Sequence, residues 1–205
     1  MSNAENQDEN LAAMDRLAAL TSEQLGLLFP IEIVSYDAEW PSMFRGEEEL
    51  IKKTLTATTA RRIEHFGSTA VPGLAAKPTI DILVEIPMLT SELKDAIIKK
   101  MKTINYQFIW RTDDATPYMM FVKGYTPEGI KEPSFHVHMA EYGHSLWDRL
   151  YFRDYLRENA DAHKVYTELK MELAKKYRND REAYTKGKTE YINGITSTAK
   201  KSKEK

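Results

Sequence analysis

Gly67 and Ser68 follow the strand-like run "RRIEHF", and Asp81 interrupts the apolar run "TIDILVEI" fourteen residues after that glycine. A glycine lets the backbone approach a ligand closely, and successive amide N–H groups at such a turn can cradle an anion. The serine hydroxyl adds a donor. Lys77 lies on the same loop and can reach a phosphate as a point charge. Gly and Ser are also ordinary turn residues, so a plain structural turn accounts for the pair as well. Period-two alternation puts Thr79, Asp81 and Leu83 on one strand face and Ile80, Ile82 and Val84 on the other. A carboxylate within such a strand is costly unless partnered. Asp81 is therefore either a strand-end acid bonded to loop amides or a functional group.

The chain has five histidines: His65, His136, His138, His144 and His163. His136 and His138 are two apart on a strand-like run, so both rings face one way. If that strand neighbours the Asp81 strand, two imidazoles and one carboxylate converge, with His65 a candidate fourth member. Such a set favours zinc, manganese or iron over magnesium. Protonated, the histidines would bind a phosphate directly. A polar sheet face with ordinary hydrogen bonds is the third reading. His144 and His163 lack comparable company and read as structural or exposed.

Two lysines break helical patterns. Lys170 falls inside the stripe Tyr166, Leu169, Leu173, Tyr177, and Lys188 inside Tyr184, Tyr191, Ile192, Ile195. Either their stems are buried with the ammonium groups in water, or the helices fold back and aim cations into a cleft. Arg149, Arg153 and Arg157 recur every four residues and read as a solvated ridge paired with Asp154 and Glu158. Arg153 is kept as a candidate phosphate contact. Asp113 and Asp114 read as hairpin-turn residues.

The elements that must position these residues follow from pattern. "LAAMDRLAALTSEQLGLLF" predicts one or two short helices with Ser22 as N-cap. "IEIVSY" predicts a short strand, and Asp37 and Pro41 open a helix to about Leu55. Strands are predicted ending near Phe66 and over 79–86, then a helix capped by Thr90 or Ser91. "YQFIW", "PYMMFVKG" and "SFHVHMAE" predict strands, the last two forming a hairpin. From Ser145 onward three helices are predicted, the third with Asn179 and Glu182 at capping-box spacing. Because Val71 precedes Pro72, any helix opening at Ser68 must be very short. The whole is a sheet domain with a helical appendage.

At 205 residues, with 42% hydrophobic and 29% charged residues, one globular domain with a terminal extension is expected. No cysteine is present, which excludes disulfides, thiolate zinc sites and cysteine nucleophiles. No run of 18 apolar residues occurs, and the first ten residues are polar and acidic, so no membrane span or secretory signal is read and a cytoplasmic protein is expected. Residues 1–50 carry 2 basic and 11 acidic side chains, whereas residues 145–205 carry 15 and 10. This places an anionic ligand toward the C-terminal third. The balance is too mild for a dedicated nucleic-acid binder.

The segments "YDAEWP", "IEHFGSTAVPGLAAKPTIDILV", "FHVHMAE", "FRDYLR" and "DREAYTKGKTEYI" together resemble the GrpB family, from about Ile31 to Ile195. The resemblance implies a nucleotidyltransferase-like mixed β-sheet flanked by helices, an α/β (α+β) fold with a helical C-terminal region. In that fold a Gly-Ser turn opens the site, a pair of acids follows on the next strand, and a third acid lies on a later one. Those acids hold two divalent ions. Here the first acid position falls on Thr79, and His136 and His138 stand where the later acid would be. The two-ion arrangement is therefore not reproduced.

The resulting expectation divides the chain into a helical extension over 1–28, the main domain over 29–198 and a frayed basic tail over 199–205. A cleft would be lined by Gly67, Ser68, Lys77, Asp81, His136 and His138. Asp81, His136 and His138, with His65 as a further candidate, would hold a divalent metal (Mn, Zn or Mg) or transfer protons. Ser68, Lys77 and the loop amides would hold phosphate, and Arg153, Lys170, Tyr184 and Lys188 would contact the rest of a nucleotide or small phosphorylated molecule. The expected activity is nucleotidyl or related phosphate-group transfer. The rivals are a non-catalytic nucleotide or phosphometabolite sensor, with a CoA-related ligand by analogy, and an interaction module docking through its acidic N-terminal helices.

Overall fold

The computed structural model describes residues 16–17, 19–112 and 116–203, the side chains of 131 and 132 excepted. The readings for residues 1–10 and for Asp113 and Asp114 lie outside these. Among the described residues five strands make one mixed sheet: β1 (Arg62–Phe66), β2 (Thr79–Ile86), β3 (Gln107–Arg111), β4 (Tyr118–Thr126) and β5 (Gly129–Glu141), in the order β1-β2-β5-β4-β3. Only β2 and β5 run parallel; the other pairs are antiparallel. The helices are α1 (Ser22–Leu28), α2 (Trp40–Thr54), α3 (Ser91–Lys102), α4 (Arg149–Glu158), α5 (Ala160–Lys176), α6 (Arg181–Gly187) and α7 (Thr189–Lys203). The outcome is the expected mixed sheet flanked by helices with a helical C-terminal region. Among the described residues no helix is long and apolar enough to cross a membrane.

The alternation of β2 decides what each face meets. Ile80, Ile82 and Val84 join Val137 and Phe121 under α2 and α3, where Trp40, Ile51, Leu55, Ile97 and Met101 are buried. Each such side chain contributes about 1.5–3 kcal/mol by leaving water. One charged cluster interrupts this core. The Glu47 carboxylate accepts from the Lys123 ammonium and, at 2.9 Å, from the Tyr106 hydroxyl. On the other face Phe66, Leu83, Met120 and Val122 pack with Leu146 and Leu150. Behind the Gly-Ser turn, Val71 and Leu74 are buried among Phe152, Leu156 and Tyr166 of α4 and α5. The C-terminal helices thus grip the loop that carries Ser68 and Lys77.

Four expectations are corrected. Residues 31–36 form no strand: their one pairing is the bridge Val34–Ala76 with the loop, so no ladder partner extends them. The N-cap of α1 is Thr21, in a reciprocal box with Gln24, rather than Ser22. The third C-terminal helix is two helices that break at Lys188, and Asp180 rather than Asn179 caps α6 by accepting from the Ala183 amide at 2.9 Å. The tail is no frayed end as far as Lys203. Ala199 is buried, and Lys200 binds both oxygens of Asp148 at 2.9 and 3.0 Å. Helix α1 packs on its own domain, with Gly26 against the Asn179 carbonyl.

Candidate functional site

The parallel β2–β5 ladder places Asp81 opposite His136, Leu83 opposite His138 and Thr79 opposite Ser134. All these side chains except that of Leu83 are polar and share the face covered by the C-terminal helices. Asp81, His136 and His138 each offer a donor atom within 4.8 Å of the others. His136 Nδ1 lies 3.5 Å from Asp81 Oδ1. The Asp81 side chain is 27% exposed and that of His136 is 14% exposed, so solvent reaches the group.

Gly67 makes room for the carboxylate. It adopts φ +73°, and a Cβ there would lie 2.3 Å from Asp81 Oδ2. No other residue type fits both the backbone and that approach. The three-residue 3₁₀ turn Ser68–Ala70 follows, as the Val71-Pro72 restriction requires. The Ser68 side chain lies beside the phenol of Tyr166, which burial keeps protonated.

The electrostatics suit a metal. Burial alone would raise the Asp81 pKa, but the His136 contact, together with His138 and Lys77, holds it below the usual carboxylate value. Burial lowers His136 despite the opposing effect of Asp81, and lowers His138 to about 3. At neutral pH the group is thus one carboxylate and two neutral imidazoles, the protonation state that ligation needs. His138 Nδ1 is buried with no hydrogen-bond partner. An imidazole with an unpartnered ring nitrogen, grouped with a carboxylate and a second imidazole, fits a divalent ion of the zinc or manganese type better than magnesium.

Lys77, Lys188 and Arg181 gather near this centre, and among the described residues none of the three forms a salt bridge with an acid. Lys77 lies 5.7 Å and Lys188 4.2 Å from the Tyr184 ring centre. Burial, helped by Arg181 and Lys188, lowers Lys77 to about 7, with Asp81 opposing. Burial lowers Lys188 to about 8, again against Asp81. Tyr184 is itself buried and offers its π-face rather than a free hydroxyl edge. A hollow of about 200 Å³ opens one strand step away, lined by Lys77, Thr79, Ser134 and Arg181.

Three expected members stand elsewhere. His65 pairs with Ile82, not Asp81, and lies on the opposite sheet face. There it stacks on Phe44 at 4.8 Å and hydrogen-bonds Thr69 Oγ1 at 3.1 Å, so it is no fourth ligand. Arg153 spends its donors on Glu64, Asp154 and the His65 carbonyl at 2.8–2.9 Å. It lines a separate hollow with Phe44 and Arg157 rather than joining the cations near Asp81. Lys170 neither snorkels nor enters the cleft: it is 1% exposed, donates to the Ala75 carbonyl and lies over the Tyr166 ring. It therefore braces the loop bearing Lys77.

Three contributors were not read from sequence as part of the site. Arg157, read as part of a solvated ridge, donates twice to the Ala70 carbonyl and, with Arg153 on His65, clamps both ends of the Gly-Ser turn. Tyr125 bonds His136 Nε2 at 2.7 Å, and Arg181 approaches both. Arg181 lay within the quoted "DREAYTKGKTEYI" segment, so a signal existed for it. Tyr125 sat in a turn-rich stretch and had none.

The family profile described as GrpB protein matches residues 30–198. UPF0157 protein PA4798 of Pseudomonas aeruginosa is 42% identical over 170 residues, covering 82% of this chain and 67% of that protein. UPF0157 protein YqkA of Bacillus subtilis is 33% identical over 175 residues, covering 85% of this chain, which spans about half, 48%, of that relative's length. The crystal structure of the conserved protein GrpB from Enterococcus faecalis superposes with a TM-score of 0.72 at 28% identity, over 85% of this chain and 100% of that one. With sequence, profile and fold agreeing over the same span, the chain belongs to the GrpB family.

Proposed function

We propose that this protein binds a nucleotide or other small phosphorylated molecule beside a single divalent ion, and transfers its nucleotidyl or related phosphate group to a second small molecule. The observation that carries this reading is the convergence of Asp81, His136 and His138 against the Gly67 turn, inside a ring of cations. Asp81, His136 and His138 would hold the ion, which when bound supplies Lewis-acid polarisation of a phosphoryl oxygen. Lys77, Lys188 and Arg181 neutralise phosphate charge in a partly dry setting, where each contact counts for more than in water. Ser68 and the turn amides add directed donors. Without an ion, the ionised Asp81 is placed to accept a proton from an attacking hydroxyl.

One ion rather than two is supported. The Thr79 hydroxyl is engaged with Ser134 at 2.9 Å and brings no charge. That same observation favours a second reading, a non-catalytic sensor of a nucleotide or phosphometabolite, CoA-related ligands included. Titration calorimetry with nucleotides in the presence of Mn²⁺ or Zn²⁺, followed by a pyrophosphate-release assay, separates the two. Release that disappears in Asp81→Ala supports transfer, and binding without release supports sensing. No binding of any phosphorylated ligand, with or without ion, overturns both.

A further inference from the structure

The β4–β5 ladder is regular from Met119 opposite Met139 to Lys123 opposite Phe135, then slips and resumes at Tyr125 opposite Ile130. Gly124, at φ +96°, sits in the slip. Such a bulge re-aims the next side chain. Here the Tyr125 ring turns back along the sheet and stacks on His136, with centroids 5.6 Å apart and planes at 20°. Its hydroxyl meets Nε2 at 2.7 Å. The far side of the ring is fixed as well. Phe29 packs edge-on at 5.1 Å, and Arg181 donates to the Tyr125 oxygen at 3.4 Å and to the Phe29 carbonyl at 3.0 Å.

We infer that Tyr125, aimed by the bulge at Gly124 and braced by Arg181 and Phe29, is the positioning residue that fixes the His136 ring with Nδ1 toward Asp81. Arginine can only donate, which leaves the phenol proton free for His136 Nε2, and the acceptor-only Asp81 carboxylate beside Nδ1 selects that arrangement. In the metal-free protein Nδ1 then carries the imidazole proton and presents it to Asp81 Oδ1 at 3.5 Å. A tyrosine hydroxyl can also accept, so the same contact serves when Nδ1 is needed as a bare donor atom and the proton moves to Nε2. The ring's placement stands on geometry alone. Its consequence for a metal rests on the proposed function.

Tyr125→Phe keeps the ring against Phe29 and His136 and removes only the hydroxyl. Long-range ¹H–¹⁵N spectra of the metal-free full-length protein should show His136 in a single Nδ1–H tautomer, and a tautomer mixture in Tyr125→Phe. Zn²⁺ alone, titrated into both, should bind the variant about 10–100-fold more weakly, the usual consequence of losing an outer-shell partner. An identical His136 spectrum in the two proteins overturns the inference whatever Zn²⁺ does. In a wild-type protein that takes up Zn²⁺, affinities within twofold overturn it too. A changed spectrum with no Zn²⁺ uptake in either protein upholds the positioning role and removes the metal from the proposed function.

Discussion

Gly67→Ala tests the packing on which the candidate site depends. Two penalties are separable. The first is backbone: φ +73° with ψ −171° is a region open essentially to glycine alone, and an alanine there costs about 1–3 kcal/mol. The second is contact: the new methyl would meet Asp81 Oδ2 at 2.3 Å and Asp81 Cβ and Cγ at 3.0 Å. The carboxylate must leave its rotamer, at about 0.5–1.5 kcal/mol, and give up His136 in doing so. Together roughly 2–4 kcal/mol is expected, which in a chain this size lowers Tm by about 5–15 °C. In an Asp81→Ala background the oxygen and Cγ are gone and mainly the backbone penalty remains. Urea unfolding of the wild type, both single variants and the double variant, followed by tryptophan fluorescence, should give a coupling of about 1 kcal/mol. Equal cost of Gly67→Ala in both backgrounds would falsify the claim that glycine is there to admit the carboxylate.

Three further outcomes are expected. Burial lowers His65 to about 4, below its ordinary 6.5, so between those values the unfolded chain binds more protons and stability falls as pH drops. The loss is about 3 kcal/mol, and equilibrium unfolding of His65→Gln should lack that part of the pH dependence; an unchanged profile refutes it. Burial, with Lys188, lowers Lys170 to about 7 from 10.5, so stability should rise with pH across that window, and Lys170→Met should flatten the rise. A wild-type profile flat from pH 7 to 10 would contradict this. Glu47→Ala strands the Lys123 ammonium under the sheet and should cost about 3 kcal/mol or more, largely recovered by adding Lys123→Met. If the double variant is no more stable than Glu47→Ala, the ion pair is not what holds that cluster.

Much of the site's chemistry was legible in local pattern. Alternation alone set Asp81 apart from Ile80 and Ile82, and the two-residue spacing of His136 and His138 put both rings on one face. The short turn after Gly67 followed from Val71-Pro72. Register was not legible, because parallel pairing joins strands more than fifty residues apart through contacts that neither strand encodes alone. That register brought His136 to Asp81, and the antiparallel register of β1 sent His65 to the other face. Arg153, Arg157 and Lys170 were misread for a related reason. A charged residue at helical spacing looks the same whether it meets water or a loop carbonyl, and only packing of α4 and α5 on residues 65–75 decides which. Tyr125 depended on a three-residue register slip between β4 and β5, which leaves no periodic trace. Sequence by itself determined which residue types were available and which face of its own element each occupied, since those follow from backbone geometry. Only the tertiary structure decided which faces met, since that depends on pairing and burial summed over the whole chain.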